Sequence, residues 1–173
     1  MAIVNIMMVF DTYSILQGGK GGNDAQHPKD IAHGTQYMVT EPRFLTKTSP
    51  TTQATGDLNI TVVRDDVVRW FASALYDQRR AFVIPYTLDM FSGTQVTSPP
   101  VFRVRNGATP IPVETNPATW NVQDQSYYYL QAEIMNKGVE NYRLTFQIVL
   151  QDDQGNLVSQ GFFRWDPTIT VNA

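Results

Sequence analysis

Near its C-terminus the chain reads NYRLTFQIVLQ, then DDQGN, then LVSQGFFRW. Tyr142, Leu144, Phe146, Ile148 and Leu150 recur at every second position, the period of a strand with one buried face. Asp, Gly and Asn in DDQGN are the types that accept a tight turn, so the two runs form a β-hairpin. A hairpin with five apolar side chains on one face is stable only when a second layer covers that face. The returning strand ends in GFFRW and is cut off by Asp166-Pro167, where the missing proline N–H should weaken the ladder. Trp165 is expected between the sheets, because a buried indole removes a large apolar area from water.

The same period runs through much of the remaining chain. Leu58, Ile60 and Val62 share a face, Val68 and Trp70 oppose Val67, Arg69 and Phe71, and Tyr128, Leu130, Ala132 and Ile134 form a core face. IVNIMMVF reads as a buried strand closed by Asp11, and TQYMVT as another strand. AFVIPY is a strand that Pro85 confines to an edge or a bulge. VFRVRN should stop at an Asn106-Gly107 turn, and ATPIPVETNP, with three prolines, reads as a loop or irregular edge. Residues 41–56 read as a polar linker. No stretch of a dozen residues repeats at 3.6, and the best helix candidate is short, at residues 72–80. These patterns predict one all-β domain over residues 1–173, an antiparallel, jelly-roll-like β-sandwich with little helix.

Composition narrows the function. A chain of 173 residues suits one core. A net charge of −3 argues against a duplex nucleic-acid partner and gives no attraction to an anionic membrane surface. The absence of cysteine excludes disulfides, thiolate metal sites and cysteine catalysis, and fits a cytoplasmic location. The apolar start lacks a basic residue before Lys20 and is interrupted by Asn5 and Asp11, so it reads as a strand and not a signal peptide.

No motif assembles a catalytic centre. GGKGGN lacks the Ser or Thr that follows the lysine of a phosphate loop, so it reads as a flexible loop. His27 and His33 stand six apart around Pro28, matching no metal-ligand pair. DDQGN lacks the alternating carboxylates of a calcium loop. A carboxylate pair for glycoside chemistry would first be sought at Glu133 and Asp166, which lie in aromatic-rich strands. The expectation is no catalytic residue, no metal and no cofactor. Tyr127 and Tyr129, predicted to face outward, and Trp120 are the candidates for stacking a small ligand or glycan, or for a protein contact.

Several of these stretches together resemble the inclusion body proteins of bacteria, the PixA/AidA family. The residues that carry the likeness are the apolar run ending in DTYSIL with Asp11, HPKDI with QYMVT, GDLNITVVRDDVVRW with Trp70, and the long ending GVENYRLTFQIVLQDDQGNLVSQGFFRWDPTITV. Within that ending Tyr142, Gly161, Trp165, Asp166 and Pro167 look like structural signature positions. Residues 41–56 and the proline-rich stretch at 111–117 contribute no matching residues to this likeness. The resemblance implies a small, non-enzymatic, cytoplasmic protein that self-associates, as a homodimer or higher homo-oligomer, into intracellular inclusions. In the family such inclusions are often under growth-phase or quorum control in host-associated bacteria.

Overall fold

A computed structural model describes residues 1–46, 52–77, 79–114 and 116–171. The elements run β1 (Ile3–Phe10), α1 (Thr12–Gln17), β2 (Lys29–Asp30), β3 (Gln36–Val39), β4 (Asn59–Val62), β5 (Val67–Ala74), β6 (Ala81–Gly93), β7 (Val101–Val113), β8 (Asn116–Glu133), β9 (Gly138–Gln151), β10 (Leu157–Trp165) and β11 (Thr168–Val171). Two sheets pack together. The first has the order β3-β1-β5-β8-β7; in the second, β9 carries β6 as an edge strand and connects through β10 and β11 to β2 and β4. The sandwich expected from the period-two runs is present, but its sheets are mixed. β1–β5, β10–β2 and β11–β4 are parallel pairs, made by strands distant in sequence that no hairpin turn announces.

The terminal hairpin forms as its alternation dictates. Tyr142, Leu144, Phe146 and Ile148 are buried and face Phe163 and Trp165, while Asp152 caps the turn by accepting from the Gln154 and Asn156 backbone N–H groups. β10 and β11 pair successively with β9, and the break between them falls at Asp166-Pro167. The ladder is bridged there by the Tyr142 N–H donating to the Pro167 carbonyl at 3.1 Å. Gly161 sits at a bulge in β10 with φ of +102°. Its missing side chain lets Gly21 and Gly22 close on β10, so part of GGKGGN is pinned by backbone hydrogen bonds to Gln160 and Phe162.

The core is one apolar cluster drawn from both sheets, including Val4, Ile6, Met8 and Phe10 of β1, Val68 and Trp70 of β5, and Leu130, Ala132 and Ile134 of β8. β1 is therefore half-buried and not buried on both faces, with Ile3 and Met7 exposed. A buried polar link joins the sheets within the core: Trp70 Nε1 donates to the Tyr142 hydroxyl at 3.1 Å, with the rings edge to face at 6.0 Å. Burial holds the Tyr142 phenol well above its ordinary pKa.

Other expectations are corrected. The described residues of 72–80 hold no helix: β5 stays paired with β1 through Ala74, and Asp77 follows with φ of +42°. The long parallel ladder overrides local helix preference. The short helix lies instead at Thr12–Gln17, capped by Asp11, which accepts from the Ser14 N–H and hydroxyl. Asn106-Gly107 makes no turn, because it runs inside the β7–β8 hairpin, and of the loop or irregular edge expected for the proline-rich segment its described β7 residues form the edge, with a register shift between Pro112 and Val113. Pro110 and Pro112 are tolerated because β7 is a sheet edge, where a missing N–H can face away from the partner. Pro85 sits on the edge strand β6 beside a bulge, as its chemistry requires. In the polar linker, Pro42–Phe44 form one 3-10 turn that buries Phe44. The linker's residues 47–51 lie outside the described residues.

Candidate functional site

The β7–β8 hairpin reaches past the sandwich. β8 pairs with β5 only through residues 130–133, so residues 116–127 pair with β7 alone. Residues paired directly across an antiparallel ladder point to the same side. The register Phe102↔Leu130, Val104↔Tyr128, Asn106↔Ser126, Ala108↔Asp124, Pro110↔Val122 and Pro112↔Trp120 defines one face of this arm. Leu130 belongs to the core, so this face continues the core side of the first sheet beyond the layer that covers it. It is mostly apolar, and Phe102, Val104, Trp120 and Val122 are 50%, 63%, 63% and 67% exposed. At the arm's base Phe102 stacks on Tyr128, whose hydroxyl donates to the Val83 carbonyl. Tyr128 thus points inward, as alternation requires, but stands at the rim of the core and is only half-buried.

The opposite face is different in kind. Arg103 lies across from Tyr129, Arg105 from Tyr127, Gly107 from Gln125 and Thr109 from Gln123. On β5, Phe71 packs on Tyr129 with ring centroids 4.8 Å apart. The Arg69 guanidinium lies 5.3 Å from the same ring and donates through Nε to Gln131 Oε1 at 2.9 Å. The Tyr127 hydroxyl shares a 2.6 Å hydrogen bond with Thr109 and donates to Gln125. Arg69, Phe71, Arg105, Gly107, Ala108, Tyr127 and Tyr129 line a groove of about 350 Å³.

The three candidate stackers are therefore not one site. Tyr127 and Tyr129 share the groove, whereas Trp120, of opposite parity, stands on the apolar face farther along the arm. Tyr129 points outward as predicted but is only 8% exposed, because Phe71 and Arg69 cover it. Alternation fixes a side chain's direction but not what lies above it. Phe71, Arg69 and the two β7 arginines were missed; only the register across β5, β8 and β7 brings them to the tyrosines.

The remaining polar candidates are dispersed. His27 contacts Asp24 at 3.0 Å and His33 stands 3.9 Å from Asp57, all four at the surface. Among the described residues no group of three His, Cys, Asp or Glu is placed to hold a metal ion. Glu133 and Asp166 are both exposed and belong to different sheets or their connections. Among the described residues no helix is long and apolar enough to cross a membrane.

Fold and arm define the class: a two-sheet, mixed β-sandwich whose β7–β8 ribbon carries one core-like and one arginine–tyrosine face. The inclusion body protein family PixA matches residues 2–171, and the chain belongs to that family. The crystal structure of the inclusion body protein PixA from Burkholderia cenocepacia J2315 is similar in fold, with a TM-score of 0.83 at 18% identity over 99% of this chain and 96% of that one. A likeness to the solution structure of Amebosin, at a TM-score of 0.21 and 8% identity over 66% of this chain and 88% of that one, carries no argument. No curated protein matches the chain.

Proposed function

We propose that the chain is a non-enzymatic protein of bacterial intracellular inclusions that assembles with copies of itself through the apolar face of the β7–β8 arm. The arm carries this reading. A two-stranded ribbon exposed on both faces is marginal in water, and one face of this one is apolar at both ends, with Asn106, Ser126 and Asp124 between. Pro110 and Pro112 lack N–H donors, so the outer half of the β7 edge is a poor template for another strand and docking by the face is favoured. Family membership agrees with assembly, and so does a small net charge of −3, which repels copies weakly.

Area decides the strength of the contact. Ten residue steps of about 3.4 Å and a width of two strands, about 10 Å, give a face of roughly 340 Å². Two arms packed face to face then bury roughly 700 Å², well below the roughly 1,200 Å² where stable interfaces begin. Such a contact holds at the high local concentration of an inclusion and releases on dilution. The test is light scattering against concentration, with circular dichroism alongside, for the wild type and Trp120→Lys/Val122→Lys. Concentration-dependent growth is expected for the wild type and loss of it for the folded variant. Equal association of both would remove the arm from the assembly, and a wild type monodisperse at high concentration near its pI would remove self-association.

A further inference from the structure

We propose that the groove on the other face of the arm's base binds a small planar anion, in its simplest form an aromatic carboxylate. Two guanidinium groups, of Arg69 and Arg105, line the groove, and Arg103 stands on the same face. Arg103, Arg105 and Arg69 lie on one face of neighbouring strands, and among the described residues none makes an ion pair with a carboxylate. Glu133, two positions beyond Gln131 on that face, makes no ion pair with them either. In a chain of net charge −3, this is a local concentration of unneutralised positive charge. Arg69 is held in place by Gln131 and the Tyr129 ring, so it is ordered before any ligand arrives.

The shape comes from a missing side chain. Gly107 interrupts the row Arg105, Gly107, Thr109 within a regularly paired stretch of β7, with no bulge and no positive φ to require glycine. A Cβ there would meet only Tyr127 Cε2, at an ordinary 3.8 Å. The fold therefore does not need a glycine at this position, and the space it leaves opens the groove between Arg105 and the Tyr127 ring. Strand glycines often mark a bulge, a bend or a close approach by a ligand or another backbone, and here there is no bulge. About 350 Å³ suits a ligand of one or two rings. The Tyr127 ring supplies a stacking face, and the Arg105 fork supplies paired donors for a carboxylate. Neutral sugars would use the ring and leave the cations unanswered.

The experiment is calorimetric or NMR titration of the full chain with benzoate, and with three controls: benzamide (planar, neutral), cyclohexanecarboxylate (anionic, not planar) and methyl glucoside. Saturable benzoate binding is expected, with each control weaker by about tenfold or more. Arg105→Gln should weaken benzoate by about tenfold or more, and Gly107→Val should abolish binding while the thermal midpoint stays level or rises, since valine suits a strand. Absence of saturable benzoate binding overturns the proposal. So does equal binding of benzamide, or binding that survives Gly107→Val in a folded protein. Preference for methyl glucoside replaces the anion site with a sugar site. Trp120→Lys/Val122→Lys, altered only on the opposite face, should keep benzoate binding; its loss there would also overturn the assignment.

Discussion

The Trp70–Tyr142 hydrogen bond joins the two sheets inside the core, and Tyr142→Phe isolates its contribution. Trp70 is 0% exposed and Tyr142 2%, so no solvent reaches either side chain. The substitution keeps the ring and its edge-to-face contact and removes one oxygen. Trp70 Nε1 is then buried without an acceptor, which costs about 1–3 kcal/mol. The measurement is urea unfolding followed by tryptophan fluorescence, with a lowered midpoint and an unchanged slope. In a cycle with Trp70→Phe the double variant leaves neither polar group orphaned, so its loss should fall short of the sum of the singles by about 1 kcal/mol. An internal control exists: Trp165 is as buried, but its Nε1 has no hydrogen-bond partner among the described residues. Trp165→Phe leaves a cavity but also relieves an orphan donor, so it should cost less than Trp70→Phe, which leaves the Tyr142 hydroxyl unpaired. The pH dependence follows from burial. The folded state keeps the Tyr142 proton where the unfolded chain releases it. Its contribution is therefore complete below about pH 10 and declines as pH climbs toward the higher folded value, a limb that Tyr142→Phe should flatten. A Tyr142→Phe change under about 0.5 kcal/mol with no coupling to Trp70 would refute the hydrogen bond as a stabilising link.

Two further outcomes test the frame. Gly161→Ala places a methyl 2.7 Å from the Gly21 backbone at a φ of +102°, so a loss of at least about 1–3 kcal/mol is expected in the same urea assay, and a neutral result would contradict the close approach of GGKGGN to β10. In acid, Asp30 is held below its ordinary pKa chiefly by its hydrogen bond from Arg164, and Asp11 by those from Ser14. Their stabilisation is present above about pH 4 and disappears as pH falls through the lower folded values. Asp30→Asn should flatten that acid limb of the urea midpoint; an unchanged limb would leave the Arg164 pair without weight.

By itself the sequence determined the strands with one wet face. Alternation in NYRLTFQIVLQ, DLNITVV and SYYYLQAEIM named most of the core-facing residues because burial on one side of a pleat leaves a period of two, but it did not tell that Tyr129 is covered and Tyr128 half-exposed. The turn at DDQGN and the confinement of Pro85 to an edge were equally local, since each rests on the backbone angles or donors of a few residues. The parallel neighbours β1–β5, β2–β10 and β4–β11 were decided only by tertiary structure, because their partners are linked by no turn. The same holds for the arm. Asn106-Gly107 and the prolines are turn formers in isolation, and only an edge strand paired to residues 116–131 makes them tolerable in an extended ribbon. The groove is likewise a product of register: β5, β8 and β7 bring Arg69 and Phe71 beside Tyr129, and Arg105 beside Tyr127, across separations no local pattern encodes.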